Sequence, residues 1–287
     1  SASWKQGKLK AGDIILKVAQ GNEEPVEVTD MRLDDVVKLV RGKKGTEVRL
    51  TVRKPDGETL IITIIRDVVI LEETFAKSAI INTNGNNDLA SPPTKVGYIR
   101  LPEFYASFNG TTGRYCAKDV KKEIEKLKEE NVDGIVLDLR DNGGGSLNDV
   151  VDMAGLFINK GPIVQVKSNE GKIAVLDDRD TAIFYSGPLV VMVNTNSASA
   201  SEIMAAAIQD YKRGVIIGTQ TFGKGTVQRF FNLDDYLTKS YQQYKPLGQV
   251  KITTQKFYRI SGGTTQLKGV IPDIILPDRF QYVDEGE

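Results

Sequence analysis

Residues 188–228 read PLVVMVNTNSASASEIMAAAIQDYKRGVIIGTQTFGKGTVQ. Pro188–Val193 is a short continuous apolar run of the fully buried strand type. Ser199-Ala200-Ser201-Glu202 then opens an alanine-rich helical stretch over 200–210, and Gly214–Gly218 returns as another buried strand. Upstream, Gly134-Ile135-Val136-Leu137-Asp138-Leu139 is a further apolar strand. It runs into Arg140-Asp141-Asn142-Gly143-Gly144-Gly145, and a helix follows from about Asn148 to Phe157. Strands alternating with helices predict an α/β layered core, with functional residues just beyond the strand ends.

Within the quoted stretch, Ser199 is followed 25 positions later by Lys224, and Gln228 comes four residues after that. These three read as a nucleophile, its base and the group that orients the base. The chain contains no histidine, which rules out a Ser-His-Asp triad and a His-ligated metal. A serine nucleophile here needs another base, and lysine is the known substitute. Such a lysine must be neutral to accept a proton, so burial has to bring it about three units below its ordinary ~10.4. Gly223 and Gly225 suit a tight path that buries the Lys224 stem. The Gln228 amide can face the amine without adding a charge, whereas a carboxylate there would raise the lysine pKa. If 224–228 is extended, the two side chains share a face.

Competing readings exist for each motif. Ser199-x-x-Glu202 before an apolar run is also a capping box. The two readings are compatible, because a serine at a helix start leaves the next amide, that of Ala200, free for an oxyanion. Gly218-x-x-x-x-Gly223-Lys224 imitates a phosphate-binding loop. However, Gly225 stands where Ser or Thr is required, and Thr226–Phe231 has a strand signature where a helix should follow. The triple glycine at 143–145 is either a flexible turn or an anion site built from backbone amides. Asp177-Asp178-Arg179-Asp180 lacks calcium-loop spacing and reads as an exposed loop. The single Cys116 has no His or Lys next to it in sequence and reads as a bystander.

Outside this core, residues 1–75 form a first unit. A turn at Gly12-Asp13 leads into a strand. Leu33, Val36, Val37 and Val40 fall at helical spacing up to Gly42, and segments 46–53 and 59–66 flank a Lys54-Pro55-Asp56-Gly57 turn. Residues 81–95 read as a polar loop within a second unit spanning 76–287. Lys118–Glu130 is a charged helix with Val120, Ile124 and Leu127 inward. Strands are expected near 96–101, 163–166, 173–175 and 250–259. Thirty-eight basic and 38 acidic residues cancel, so no global field points to nucleic acid or membrane. No apolar run approaches the ~20 residues of a membrane span. There is no signal peptide, and Ser1-Ala2-Ser3-Trp4 reads as a trimmed start.

SASASE at 197–202, TFGKGTVQ at 221–228, DLRDNGGG at 138–145 and GVIPDIILP at 269–277 together resemble the tail-specific, or C-terminal processing, proteases. The resemblance runs from about Leu9 to Pro277 and implies a Ser-Lys peptidase core similar to the crotonase and Clp protease folds. Residues 1–75 resemble a partial PDZ domain lacking its front strands and carboxylate-binding loop. The family's nucleophile falls on Ser199 rather than Ser197 or Ser201, its base on Lys224 and the orienting glutamine on Gln228. Its oxyanion hole falls on the amides of Gly144 or Gly145 together with Ala200. Asp210 also matches a family position and reads as a helix-end structural residue. The implied activity is endoproteolysis of polypeptides recognised by accessible, apolar carboxy termini. It implies no cofactor, metal, nucleotide or nucleic acid, and a bacterial cell-envelope setting, periplasmic in a Gram-negative source. The alternatives are a resting or inactive tail-binding or assembly module of the same fold, and a crotonase-like acyl-CoA enzyme.

Overall fold

The computed structural model describes residues 2–67, 74–83, 94–107, 113–178 and 182–278. The chain divides into two compact units, Ser1–Glu72 and Glu73–Glu287. In the first, strands β1 (Ile14–Gln20), β2 (Val26–Glu27), β3 (Glu47–Arg53) and β4 (Thr59–Ile65) form an antiparallel sheet ordered β2-β1-β3-β4. Alternation in β3 and β4 puts Val48, Leu50, Val52, Ile62 and Ile64 into one buried cluster. Helix α2 (Leu33–Val40) lays Val36, Leu39 and Val40 on it, while the short α1 (Ala2–Gln6) adds Ala2.

The described residues of the second unit form two sheets. The larger comprises β5 (Lys77–Thr83), β6 (Thr94–Arg100), β7 (Gly134–Asp138), β10 (Leu189–Val193), β11 (Val215–Gly218) and β14 (Ile274–Ile275), ordered β14-β11-β10-β7-β6-β5. All its neighbours run parallel except β5, which closes the edge antiparallel to β6. The smaller sheet is antiparallel: β8 (Gly161–Ser168), β9 (Ile173–Asp178), β12 (Thr226–Asn232) and β13 (Gln249–Tyr258), ordered β12-β13-β8-β9.

Among its described residues three α-helices complete this unit: α3 (Cys116–Glu129), α4 (Leu147–Ala154) and α5 (Ala200–Asp210). Every residue of α5 from Ala200 to Ile208 is buried, as befits a helix apolar on all sides. It touches β11 of one sheet and β8 of the other, so one continuous core joins both sheets and the helices between them. Its alanines permit this close approach. On α3 the inward residues are Val120, Ile124 and Leu127, as the spacing predicts.

One expectation is revised. The polar stretch 81–95 is not wholly loop, because Ile81–Thr83 pair with Thr94–Val96 as the closing rungs of the β5–β6 hairpin. Cross-strand hydrogen bonds there override a polar composition that favours turns. Residues 84–93, Arg179, Asp180 and the last four residues lie outside the described ones. β2 and the 3-10 turns Leu233–Tyr236 and Lys239–Tyr244 had no periodic signal. The parallel strands β7, β10 and β11 all deliver their loops at the same end of the sheet, and there the candidate site assembles.

Candidate active site

β10 ends at Val193 and the chain turns before α5 starts at Ala200. Ser199 sits at that junction with φ 56° and ψ −110°, a conformation that non-glycine residues rarely adopt and that costs energy to hold. The neighbouring serines have other occupations. Ser197 Oγ donates to the Leu139 carbonyl at 2.8 Å, and Ser201 Oγ donates to the Asn142 carbonyl at 2.7 Å. Both are fully buried, whereas Ser199 is half-buried. Among the three, Ser199 is the one that is not fully buried.

β7 feeds the glycine loop. Buried Asn142 organises it, donating through Nδ2 to the Leu101 carbonyl at 2.8 Å and accepting the Gly144 N–H at 2.9 Å. The Ala198 N–H in turn donates to the Asn142 carbonyl at 3.0 Å, so the loop is stitched to the serine turn. Gly144 takes φ 102°. A Cβ there would stand 2.8 Å from Ser199 Cβ and 3.0 Å from the Ala200 nitrogen. At Gly145 a Cβ would overlap the Phe104 carbonyl. The Gly144 amide is thus committed to Asn142. No acceptor pairs with the amides of Gly145 and Ala200 among the described residues.

β11 feeds the lysine loop. Gly223 N–H donates to Glu202 Oε1 at 2.8 Å, and Lys224 N–H to Glu202 Oε2 at 2.9 Å. From the other side, Leu267 N–H reaches the Gly223 carbonyl at 2.7 Å, and Gly225 N–H reaches Gln266 Oε1 at 2.8 Å. Lys224 Nζ faces Gln228 Oε1 at 3.5 Å, at the long end of hydrogen bonding. The strand expected after Lys224 is present as β12. The expected burial is only partly realised, since Lys224 is half-buried and Gln228 is exposed. The reason is position: β12 is an edge strand, and its register shifts between Val227 and Gln228.

The sequence marks Glu202 only as a cap. Its carboxylate does accept the Ser199 N–H, at 2.8 Å through Oε2, but it also takes the Thr221 hydroxyl at 2.7 Å through Oε1. With the two lysine-loop amides it receives four donors at 0% exposure. Burial raises its pKa against the pull of those donors. Ser-x-x-Glu was the only signal that could have flagged it, and it specifies nothing about residues 221–224.

Other singled-out residues lie apart. Asp210 ends α5, about 16 Å along the helix from Ser199. It grips Arg259 with both oxygens, at 2.6 and 3.1 Å. Cys116 is buried beside Asp149, and burial pushes its thiol pKa far up. Beside the glycine loop, Asp138 accepts from Tyr98 and, twice, from the Arg140 side chain.

Residues 95–276 match the model of Peptidase family S41, and residues 1–53 that of the PDZ domain. The chain is 43% identical over 98% of its length to the tail-specific protease of Haemophilus influenzae, covering 38% of that protein. It is 32% identical over 96% of its length to the carboxyl-terminal-processing peptidase 2, chloroplastic, of Arabidopsis thaliana, covering 49% of it. The chain therefore spans half or less of the length of these two relatives. A solved structure titled photosystem II D1 C-terminal processing protease superposes on 95% of this chain and 65% of its own, with TM-score 0.57 and 27% identity. A family match over most of the chain, with a relative this similar along nearly all of it, means that the chain belongs to peptidase family S41.

Proposed function

We propose that the chain is the serine endopeptidase core of a C-terminal processing protease, with Ser199 as nucleophile, Lys224 as general base and Gln228 orienting the amine. Neutral Lys224 takes the Ser199 hydroxyl proton as Oγ bonds to the scissile carbonyl carbon. The Gly145 and Ala200 amides hold the developing oxyanion. The C–N bond then breaks as the lysine ammonium returns its proton to the leaving amine. Water, deprotonated by the same lysine, releases the acyl group. The observation that carries this reading is the closeness of the glycine loop to a strained serine, with two amides there left without acceptors. Stacked layers of the crotonase and Clp protease type are the fold we infer, because α5 touches both sheets.

Residues 1–75 stand in this proposal as a partial PDZ-type module and 76–287 as the catalytic core, acting on polypeptides with accessible, apolar carboxy termini. The setting we infer is the bacterial cell envelope, periplasmic in a Gram-negative source, on the strength of the Haemophilus influenzae relative. Among the described residues no helix is long and apolar enough to cross a membrane.

The test is cleavage of an unstructured protein with an apolar carboxy terminus from pH 6 to 10, by wild type, Ser199→Ala and Lys224→Ala. The expected outcome is wild-type cutting that rises with pH, as the lysine becomes neutral, and vanishes in both variants. Cutting that persists in Lys224→Ala would sink the dyad. A second reading is a resting arrangement of the same machinery. The exposed Gln228 and its 3.5 Å contact to Lys224 favour it, because a half-buried amine keeps much of its water. Under that reading cutting appears only once a bound tail covers the lysine.

A further inference from the structure

Ser199 and Lys224 stand on loops from different strands, and nothing in the sheet fixes their separation to the fraction of an ångström that proton transfer needs. One side chain spans both loops. Oε2 of Glu202 accepts the backbone N–H of Ser199 at 2.8 Å and that of Lys224 at 2.9 Å. Oε1 accepts Gly223 N–H at 2.8 Å and Thr221 Oγ1 at 2.7 Å. Thr221 Oγ1 accepts Val270 N–H in turn, so its hydroxyl proton is directed at Glu202. We propose that Glu202 is a positioning residue of the peptidase, a buried carboxylate whose single oxygen Oε2 clamps the nucleophile and the base to one point. The proposal rests on the Ser199–Lys224 reading given above.

Three features separate this role from a simple helix cap. A cap needs one acceptor toward its own helix start, whereas three of the four donors here come from 221–224. The carboxylate is fully buried with no cation among its hydrogen-bond partners, an arrangement that is expensive to maintain. A cap at the surface would avoid that cost. The Ser199 N–H bonded to Oε2 also lies at the strained φ of 56°, so the same contact holds the serine in the conformation that presents it. With the Ser199 amide taken by Glu202, the Ala200 amide is left for an oxyanion.

The consequence is specific for Glu202→Gln, which keeps the shape but has only one acceptor oxygen. Whichever way the amide turns, its NH2 must face an N–H of 199, 223 or 224. We expect kcat to fall about 100-fold, the cost of misplacing reacting groups by about an ångström. KM should stay within about threefold, since no contact to substrate is touched.

The experiment measures kcat, KM, thermal unfolding and pH-dependent labelling by a fluorophosphonate, a serine-directed probe, in the 287-residue chain. Wild type, Glu202→Gln, Thr221→Val and Lys224→Ala are compared. A kcat-only defect with labelling slowed in step in folded Glu202→Gln supports the clamp. Wild-type kcat in that variant would overturn it, as would a loss that merely follows the unfolded fraction. If Glu202→Gln does not fold, Thr221→Val decides. It removes one donor to Oε1, and the clamp predicts a smaller kcat defect, about tenfold, with KM held. An unchanged kcat there would overturn the proposal. Labelling of wild type equal to that of Lys224→Ala would instead mean that the dyad reading itself fails.

Discussion

A methyl group added at Gly144 would lie 2.8 Å from the Ala198 carbonyl oxygen and 3.0 Å from the Ala200 nitrogen, on a backbone at φ 102° that L side chains rarely adopt. Gly144→Ala should therefore push the glycine loop off the serine turn. A displaced oxyanion donor costs about 100-fold or more in kcat, and steady-state kinetics on the folded variant will read it. Asp138 offers a prediction of a different kind. Burial raises its pKa, but hydrogen bonds from Arg140 and Tyr98 outweigh burial and leave it below the usual 3.8. A depressed carboxyl contributes stability that is complete above its unfolded pKa and is lost as pH falls through the folded one. Wild type should thus lose stability more steeply than Asp138→Asn as pH falls below the ordinary carboxylate range. Acid titration of the unfolding midpoint checks this, and parallel curves would count against it.

Among the elements, α4 depends on its cap. Ser146 Oγ accepts the Asp149 N–H at 3.2 Å and donates to Asp149 Oδ2 at 2.8 Å, all within the buried interior. Ser146→Ala removes the cap and strands a buried carboxylate, so a loss of about 1–2 kcal/mol is expected in denaturant unfolding. Asp210 is the corresponding brace at the far end of α5. Its carboxylate holds Arg259 of the loop after β13 in a pair only 14–20% exposed. Asp210→Ala leaves that guanidinium without its anion and should cost about 2–3 kcal/mol. A loss below 0.5 kcal/mol, about the level of a surface pair, would show that the brace is dispensable.

At the scale of the whole molecule, each unit encloses its own apolar cluster. The first centres on Leu50, Val52 and Ile62, and the second on the two sheets around α5. Ile62 is fully buried, so Ile62→Ala should cost its unit about 2–5 kcal/mol. Hydrogen exchange should then quicken throughout β1, β3 and β4. Faster exchange confined to β4 alone would contradict one cooperative cluster.

Most of this architecture was legible in the chain because it is local. Apolar runs at 134–139, 188–193 and 214–218 are too continuous for anything but buried parallel strands, and the 3.6-residue spacing of Val120, Ile124 and Leu127 marks one helix face. The lack of histidine and the order Ser199, Lys224, Gln228 narrow the chemistry without reference to tertiary structure. Tertiary structure decided what depends on distance between loops. It turned the Gly144 amide onto Asn142, leaving that of Gly145 open, and it consumed the Ser197 and Ser201 hydroxyls on carbonyls of the β7 loop. It also set Gln228 on an exposed edge strand and gave Glu202 three partners from beyond its own helix. Sequence spacing reports the neighbours that a regular backbone places alongside a residue. Which atoms of two loops meet is fixed only when the sheet brings their ends together.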